Sequence, residues 1–298
     1  MYRMTFDIKE YIASKRSTLG KSSIITYASI LRSLYKKVFG DGEIDPKKYD
    51  DDKTILKALE DLPPNKRKTI LSALVIITDN KNYRELMNAD VSAYNKEINL
   101  QQKSDTQKEN WVEGGDVKSV YDECRKTAEA LYKKKSLTPS DLQQIQSYII
   151  MAVLSGEYIA PRRSKDFCDF KIKSIDKTKD NFLEKGEMVF NSYKTAKTYG
   201  TQKVAVPVKL RNILSKWIAV NPTDYLLFDV NYNPLSSVKL NQRLNKIFDG
   251  KKVGVNGLRH TFLTDKFGDT IAQKKAVANT MEAMGSSPGM LTTYVKDN

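Results

Sequence analysis

The 298-residue chain has one histidine, two cysteines and two tryptophans. It has no run of about 18 apolar residues, so no transmembrane helix is expected. The N-terminal stretch MYRMTFDIKEYIASKR is charged throughout and has no apolar signal core. The chain is therefore expected to act inside a cell and not to be secreted. Cys124 and Cys168 lie far apart and fit no metal-ligand spacing, which leaves two reduced structural thiols. There is no internal repeat and no low-complexity tract.

What is present is charge and enough apolar residue for real cores. Hydrophobic residues make up 40% of the chain, which excludes global disorder, and the length suggests two domains. The net charge is +14, divided as +4 over residues 1–107 and +10 over 108–298. A basic surface attracts phosphate backbones, so nucleic acid is the leading partner class. A membrane is a weaker reading, because no basic amphipathic helix with anchors stands out. A lysine-rich surface that only keeps the protein soluble is the plain alternative. An AT-rich coding bias would also enrich Lys, Asn, Ile and Tyr.

Helical spacing dominates the first hundred residues. Residues 5–15 open a helix. The stretch TLGKSSIITYASILRSLYKKVFG then gives Ile24, Ile25, Tyr27, Ile30, Leu31, Leu34, Tyr35 and Val38, which is helical spacing with a capping serine before it. Two more helices follow, broken at Pro63-Pro64, and then another in NYRELMNADVSAYNKEINLQQ. Lys66, Arg67 and Lys68 stand at a helix start, where a phosphate could meet free backbone N–H groups. The polar residues 102–117 suggest a linker with Trp111 packed on one side, followed by a helix. Thr138-Pro139-Ser140-Asp141 marks a further helix N-terminus. Beyond Arg163, FCDFKIKSID, KGEMVFNSYKT and TQKVAVPV alternate and favour strands, with a hairpin turn near Gly200. Helices return over 209–219, 237–248, 258–267 and 272–284. The expected fold is mainly α: an all-α bundle over 1–107, a linker and connecting helix over 108–135, and an α+β domain with a small antiparallel β-sheet over 136–298.

Four clusters carry chemistry. Arg162 and Arg163 precede the first strand, and their guanidinium forks match phosphate oxygens. Asp166 could hold the Arg163 guanidinium or cap the turn. Lys194, Lys197 and Lys203 lie on the hairpin, where a lysine could enter a DNA groove or protonate a leaving oxygen. Arg259 and His260 open a helix in GVNGLRHTFLT. Tyr294 follows Gly285-Ser286-Ser287 and Thr292-Thr293. Each cluster alone is also readable as a surface salt bridge, a solvated hairpin or a packed aromatic.

Their order resembles the tyrosine recombinases, the phage-integrase family. That family's first box, Gly-x-Arg-x-x-Glu-Leu, is similar to Arg163-Ser164-Lys165-Asp166-Phe167. Its hairpin Lys-Thr pair matches Lys194-Thr195. Its second box, His-x-Leu-Arg-His-Thr-Phe, matches Asn256-Gly257-Leu258-Arg259-His260-Thr261-Phe262 at every position but the first. Its third box, Leu-Gly-His-Ser-Ser followed by Thr-Thr and tyrosine, is similar to Met284-Gly285-Ser286-Ser287 and Thr292-Thr293-Tyr294. The resemblance spans about residues 136–298. The first part is similar only in kind to the family's core-binding domain.

The resemblance implies a site-specific recombinase or integrase that cuts double-stranded DNA through a 3′-phosphotyrosyl intermediate, without metal or other cofactor. It implies a homotetramer on paired sites. Tyr294 would be the nucleophile, Arg163 (or Arg162, with a one-residue shift) and Arg259 the phosphate clamps, and Lys194 the general acid. Asn256 and Ser286 stand where the family has histidine, and histidine or tryptophan. An amide can hydrogen-bond phosphate but cannot exchange a proton near neutral pH. The stretch from Gly285 to Tyr294 is one residue shorter than the family pattern. His260 is either a supporting neighbour of Arg259 or a direct contact. A type IB topoisomerase, or a DNA-binding protein of the same fold that has lost cleavage, are the alternatives.

Overall fold

A computed structural model describes residues 6–295. The chain divides into two compact units, Met1–Lys103 and Ser104–Asn298.

The first unit is all helix: α1 (Ile8–Lys15), α2 (Lys21–Phe39), α3 (Asp52–Leu59), α4 (Pro64–Thr78) and α5 (Lys81–Asn99), with a 3-10 turn at Pro46–Asp50. Asp7, Asp51 and Asn80 each accept a backbone N–H of the helix that follows, whereas α2 starts after Gly20 with no side-chain cap, so the expected serine cap and the inward turn of Ile25, which is exposed, are corrected. The apolar faces meet in one core of Ile8, Ile12, Leu31, Ile55, Leu71 and Leu74, with Tyr49 and Tyr83 buried among them. Their hydroxyls are satisfied by the Leu31 and Tyr49 carbonyls.

The basic start of α4 divides by role. Lys66 is exposed. Lys68 lies over the Tyr94 ring, 3.0 Å from its centroid. Arg67 is turned inward: Nε and Nη2 donate to the two carboxylate oxygens of Asp90 on α5, at 2.8 and 2.7 Å. Asp90 is 2% exposed, so Arg67 is held by this pair rather than offered to a phosphate. Asp90→Ala is expected to cost about 3 kcal/mol, the low end for breaking a buried pair, because Arg67 keeps an edge in water. Hydrogen exchange across Pro64–Asn99 should then accelerate by about 10²-fold. A cost below about 0.5 kcal/mol, typical of exposed pairs, would contradict the assignment.

The second unit holds α6 (Asp105–Asn110), α7 (Gly114–Leu131), α8 (Pro139–Leu154) and α9 (Ser164–Cys168). Strands β1 (Phe170–Lys171), β2 (Asn181–Glu184) and β3 (Glu187–Phe190) follow. Then come α10 (Ala196–Tyr199), β4 (Gln202–Ala205), α11 (Val208–Val220), α12 (Ser237–Ile247), α13 (Val255–Ala283) and α14 (Leu291–Tyr294), the last preceded by a 3-10 turn at Pro288–Met290. Helix α8 starts at the expected place, with a reciprocal cap between Thr138 and Asp141. Its first half is mixed, with Gln144 exposed, but its second half is apolar all round, and Ile149 through Leu154 are fully buried at the centre of the core.

The fold is mainly α with a small sheet, as the sequence indicates. The sheet order is β1-β2-β3-β4, and it is mixed rather than purely antiparallel. β1 pairs parallel with β2, while β2–β3 and β3–β4 are antiparallel. β1 is two residues long and is flanked on its other side by hydrogen bonds to Asp224 and Leu226. So short a strand gives no alternation to read in sequence.

Two helices expected over 258–267 and 272–284 are one helix, α13, of 29 residues. Gly268 does not break it. A lone glycine costs about 1 kcal/mol relative to alanine, and no proline follows to enforce a stop. The first turns of α13 are locked in. The Thr261 hydroxyl donates to the Val112 carbonyl at 2.7 Å, and Asn241 accepts the Val255 N–H at 3.1 Å. The Phe262 ring lies against Gly156, where any Cβ would come within 2.3 Å of the ring and where φ is +88°. From Phe262 to Thr280, no residue of α13 is fully buried.

Candidate functional site

The end of α8 and the turn at Gly156 deliver Arg162 and Arg163 to the start of α9. Arg163 is the N-cap of α9, in extended backbone. Asp166 is 1% exposed. Its carboxylate takes Arg162, not Arg163: Arg162 Nε donates to Oδ2 at 2.9 Å. This corrects the expected Arg163–Asp166 hold. Asp166 is four positions after Arg162, so the Arg162 side chain reaches forward over the first turn of α9. Arg163 makes no side-chain hydrogen bond or ion pair among the described residues.

Burial pushes the Asp166 carboxyl above the ordinary carboxylate range. The charge and hydrogen bond of Arg162 pull it back down, as do the charges of Arg163 and Arg259. The charges of Arg259, on the first turns of α13, and of Arg163, 96 positions earlier in the sequence, thus both act on this buried carboxylate. Arg259 Nη1 also reaches Asn256 Oδ1 at 3.3 Å.

Lys194 lies between β3 and α10, with its side chain exposed. The backbone beneath it is tightly held. The Tyr193 hydroxyl donates to the Gly200 carbonyl at 2.7 Å, and Asn191 donates to the Lys177 and Asp180 carbonyls. The β3–β4 hairpin is thus not a tight turn at Gly200; its connection contains the helical turn α10. Lys197 is exposed on α10. Lys203 on β4 is exposed and pairs loosely with Glu187 at 3.8 Å.

His260 is exposed. It lines a cleft of about 280 Å³ with Trp111, Asn110, Lys252 and Asn256. The structure thus brings Arg162, Arg163, Asp166, Asn256 and Arg259 to one region and sets His260 at its edge.

Ser286 and Tyr294 are not part of that region. Roughly 36 Å of helix axis separates Arg259 from Ala283, and both residues lie beyond that end. There the 3-10 turn packs back on α13, and Met281 is buried. Tyr294 is 58% exposed and has no hydrogen-bond partner among the described residues.

Sequence reasoning missed Asn181. This buried amide at the start of β2 accepts the Ser192 N–H and donates to the Ser192 and Asp166 carbonyls. No local pattern marks it, because its partners lie 11 and 15 residues away. Among the described residues, no group of three or more His, Cys, Asp or Glu is placed to hold a metal ion.

No known family model matches the sequence, and no curated protein matches it. Several solved structures are similar to this chain. The XerA recombinase is 16% identical over 87% of this chain and 81% of its own, with a TM-score of 0.35. A lambda integrase (75–356) dimer bound to a COC′ core site is 13% identical over 89% and 90%, with a TM-score of 0.46. The XerH site-specific recombinase bound to difH substrate, a pre-cleavage complex, is 14% identical over 98% and 91%, with a TM-score of 0.37.

Proposed function

We propose that the protein is a site-specific DNA recombinase or integrase that cleaves and rejoins strands through a tyrosine. The observation that carries this reading is that Arg163, at the N-cap of α9, and Arg259, on the first turns of α13, both act by their charge on the buried Asp166 carboxylate that Arg162 holds. Two guanidinium groups from distant parts of the chain, carried on ordered backbone near a buried counter-charge, make a seat for an anion with more than one free oxygen. A phosphodiester is such an anion.

On this reading, the Tyr294 oxygen attacks the phosphorus and the bond to the 5′-oxygen breaks. The departing oxygen takes a proton from the Lys194 ammonium, and the phenol proton passes to solvent. The phosphorane carries extra charge on its nonbridging oxygens, which Arg163 and Arg259 stabilise, with the Asn256 amide as a further donor. A phenol ionises near pH 10, so attack near neutral pH depends on that electrophilic help. The bond energy stays in the phosphotyrosyl link, and a 5′-hydroxyl can reverse the step without ATP or metal. The residues around Tyr294 must swing to the clamp, in this chain or from another copy on the same DNA. Ser286 would travel with them. A homotetramer on two duplexes is the assembly this reading implies. Its basic contacts to double-stranded DNA are Lys66, Lys68, Lys197 and Lys203.

One observation favours a binder that no longer cleaves: Tyr294 stands remote from the arginines. Incubation with nicked suicide duplexes, followed by a denaturing gel, separates the two readings. A protease-sensitive covalent adduct is expected; binding on a native gel with no adduct on any duplex would favour the binder. Affinity should also fall about 10³–10⁵-fold between roughly 50 and 200 mM salt if about 6–10 phosphates are contacted. Fluorescence anisotropy reads this directly, and a flat salt response would contradict DNA binding.

A further inference from the structure

We infer that Arg162 and Asn181 form a buried strut that sets the position of Lys194 relative to the arginine clamp. The inference rests on the recombinase reading above.

Lys194 has no side-chain hydrogen bond or ion pair among the described residues, so its backbone alone places the ammonium. That backbone runs from Phe190 at the end of β3, and two polar side chains tie it to α9. Arg162 makes the first tie. Its Nε holds Asp166 on α9 at 2.9 Å, and its Nη1 donates to Gln202 Oε1 on β4 at 2.9 Å. The guanidinium carbon lies 3.9 Å from the Phe190 ring centroid and 5.2 Å from that of Tyr193, the residue before Lys194. Its side chain is only 17% exposed. Such a guanidinium is a fixed plate, because two aromatic rings and two acceptors engage it.

Asn181 makes the second tie. It is 1% exposed. Its Oδ1 accepts the Ser192 N–H at 2.8 Å, and its Nδ2 donates to the Ser192 carbonyl at 2.8 Å and the Asp166 carbonyl at 3.0 Å. One amide thus joins the Lys194 segment to the helix that Arg163 caps. Three well-formed bonds to a buried amide leave it little freedom.

The chemistry gives this geometry a purpose. A general acid must stand within hydrogen-bond reach of the leaving oxygen while the clamp holds the nonbridging oxygens of the same phosphate. A misplacement of about 1 Å costs up to about 10²-fold in rate. Arg162 and Asn181 touch neither oxygen; they are positioning residues.

The test compares two suicide duplexes, one with the natural 5′-oxygen at the cleavage site and one with sulfur in its place. A thiol ionises near pH 8.5, so a sulfur leaving group departs without a proton from an acid. Wild type, Lys194→Ala, Arg162→Met and Asn181→Asp are compared for rate of adduct formation, thermal unfolding and duplex binding. Asn181→Asp keeps the acceptor and removes both donors. Arg162→Met keeps the apolar stacking and removes the fork. Lys194→Ala should be slow on oxygen and near wild type on sulfur. Each strut variant should be about 10²-fold slower on oxygen, the low end of what a general acid contributes, and near wild type on sulfur. If one strut variant fails to fold, the other decides.

Equal losses on both duplexes would overturn the inference, because the defect would then lie in the clamp or the fold. So would a wild-type rate on oxygen. A Lys194→Ala defect that sulfur does not relieve would leave the strut with nothing to position. No adduct from wild type on either duplex would instead remove the recombinase reading itself.

Discussion

Tyr294→Phe is expected to abolish the covalent protein–DNA adduct while leaving duplex binding and thermal stability almost unchanged. The substitution removes one oxygen. Tyr294 is exposed, lies outside both apolar cores and has no hydrogen-bond partner among the described residues, so no buried group is left unsatisfied. Any loss of cleavage therefore reads on chemistry rather than folding. The effect should be total, because phenylalanine offers no nucleophile and water has no reason to replace it in a covalent link. A variant that still forms the adduct would remove Tyr294 from the mechanism. The competitor to examine then is Tyr199, which is 67% exposed beside Lys197 on the hairpin.

Arg259→Ala should slow adduct formation by about 10²–10³-fold, the loss that follows removal of one transition-state donor. The binding penalty should be far smaller, since one phosphate contact contributes about one unit of salt slope among several. The asymmetry is the diagnostic part. Arg259 sits on the best-anchored part of α13, where Asn241, Thr261 and Phe262 fix the first turns. Its backbone is thus fixed before DNA arrives, and its guanidinium acts on charge that develops later. Arg259→Lys should stay at least about tenfold impaired, because an ammonium lacks the fork that spans two oxygens. Equal losses in binding and in cleavage would make Arg259 a DNA contact only.

The mainly helical fold was legible because its signals are local. Thr138, Pro139 and Asp141 cap α8 as their spacing predicts. Arg259 opens a helix as GVNGLRHTF suggests. The failures share a cause: the deciding partner lay elsewhere in the fold. Arg67 looked like a phosphate contact at a helix start, yet Asp90, on the next helix, holds it inside. Asp166 had two arginines in reach, and the backbone at Arg163 gave it to Arg162. Asn181 had no local mark at all, although it bridges two segments of the site. The break expected after Phe267 does not occur, because nothing packs against Gly268 to demand one. Continuity through that glycine carries Ser286 and Tyr294 away from the arginines, which no box pattern encodes.

The most direct test of the account is to find which residue carries the nucleotide. A trapped adduct from wild type would be digested with nuclease and trypsin and read by mass spectrometry. The account predicts the phosphonucleotide on the tryptic peptide spanning 276–296, in which Tyr294 is the sole tyrosine. A nucleotide on the Tyr199 peptide, or on Ser286 within the same peptide, would contradict it.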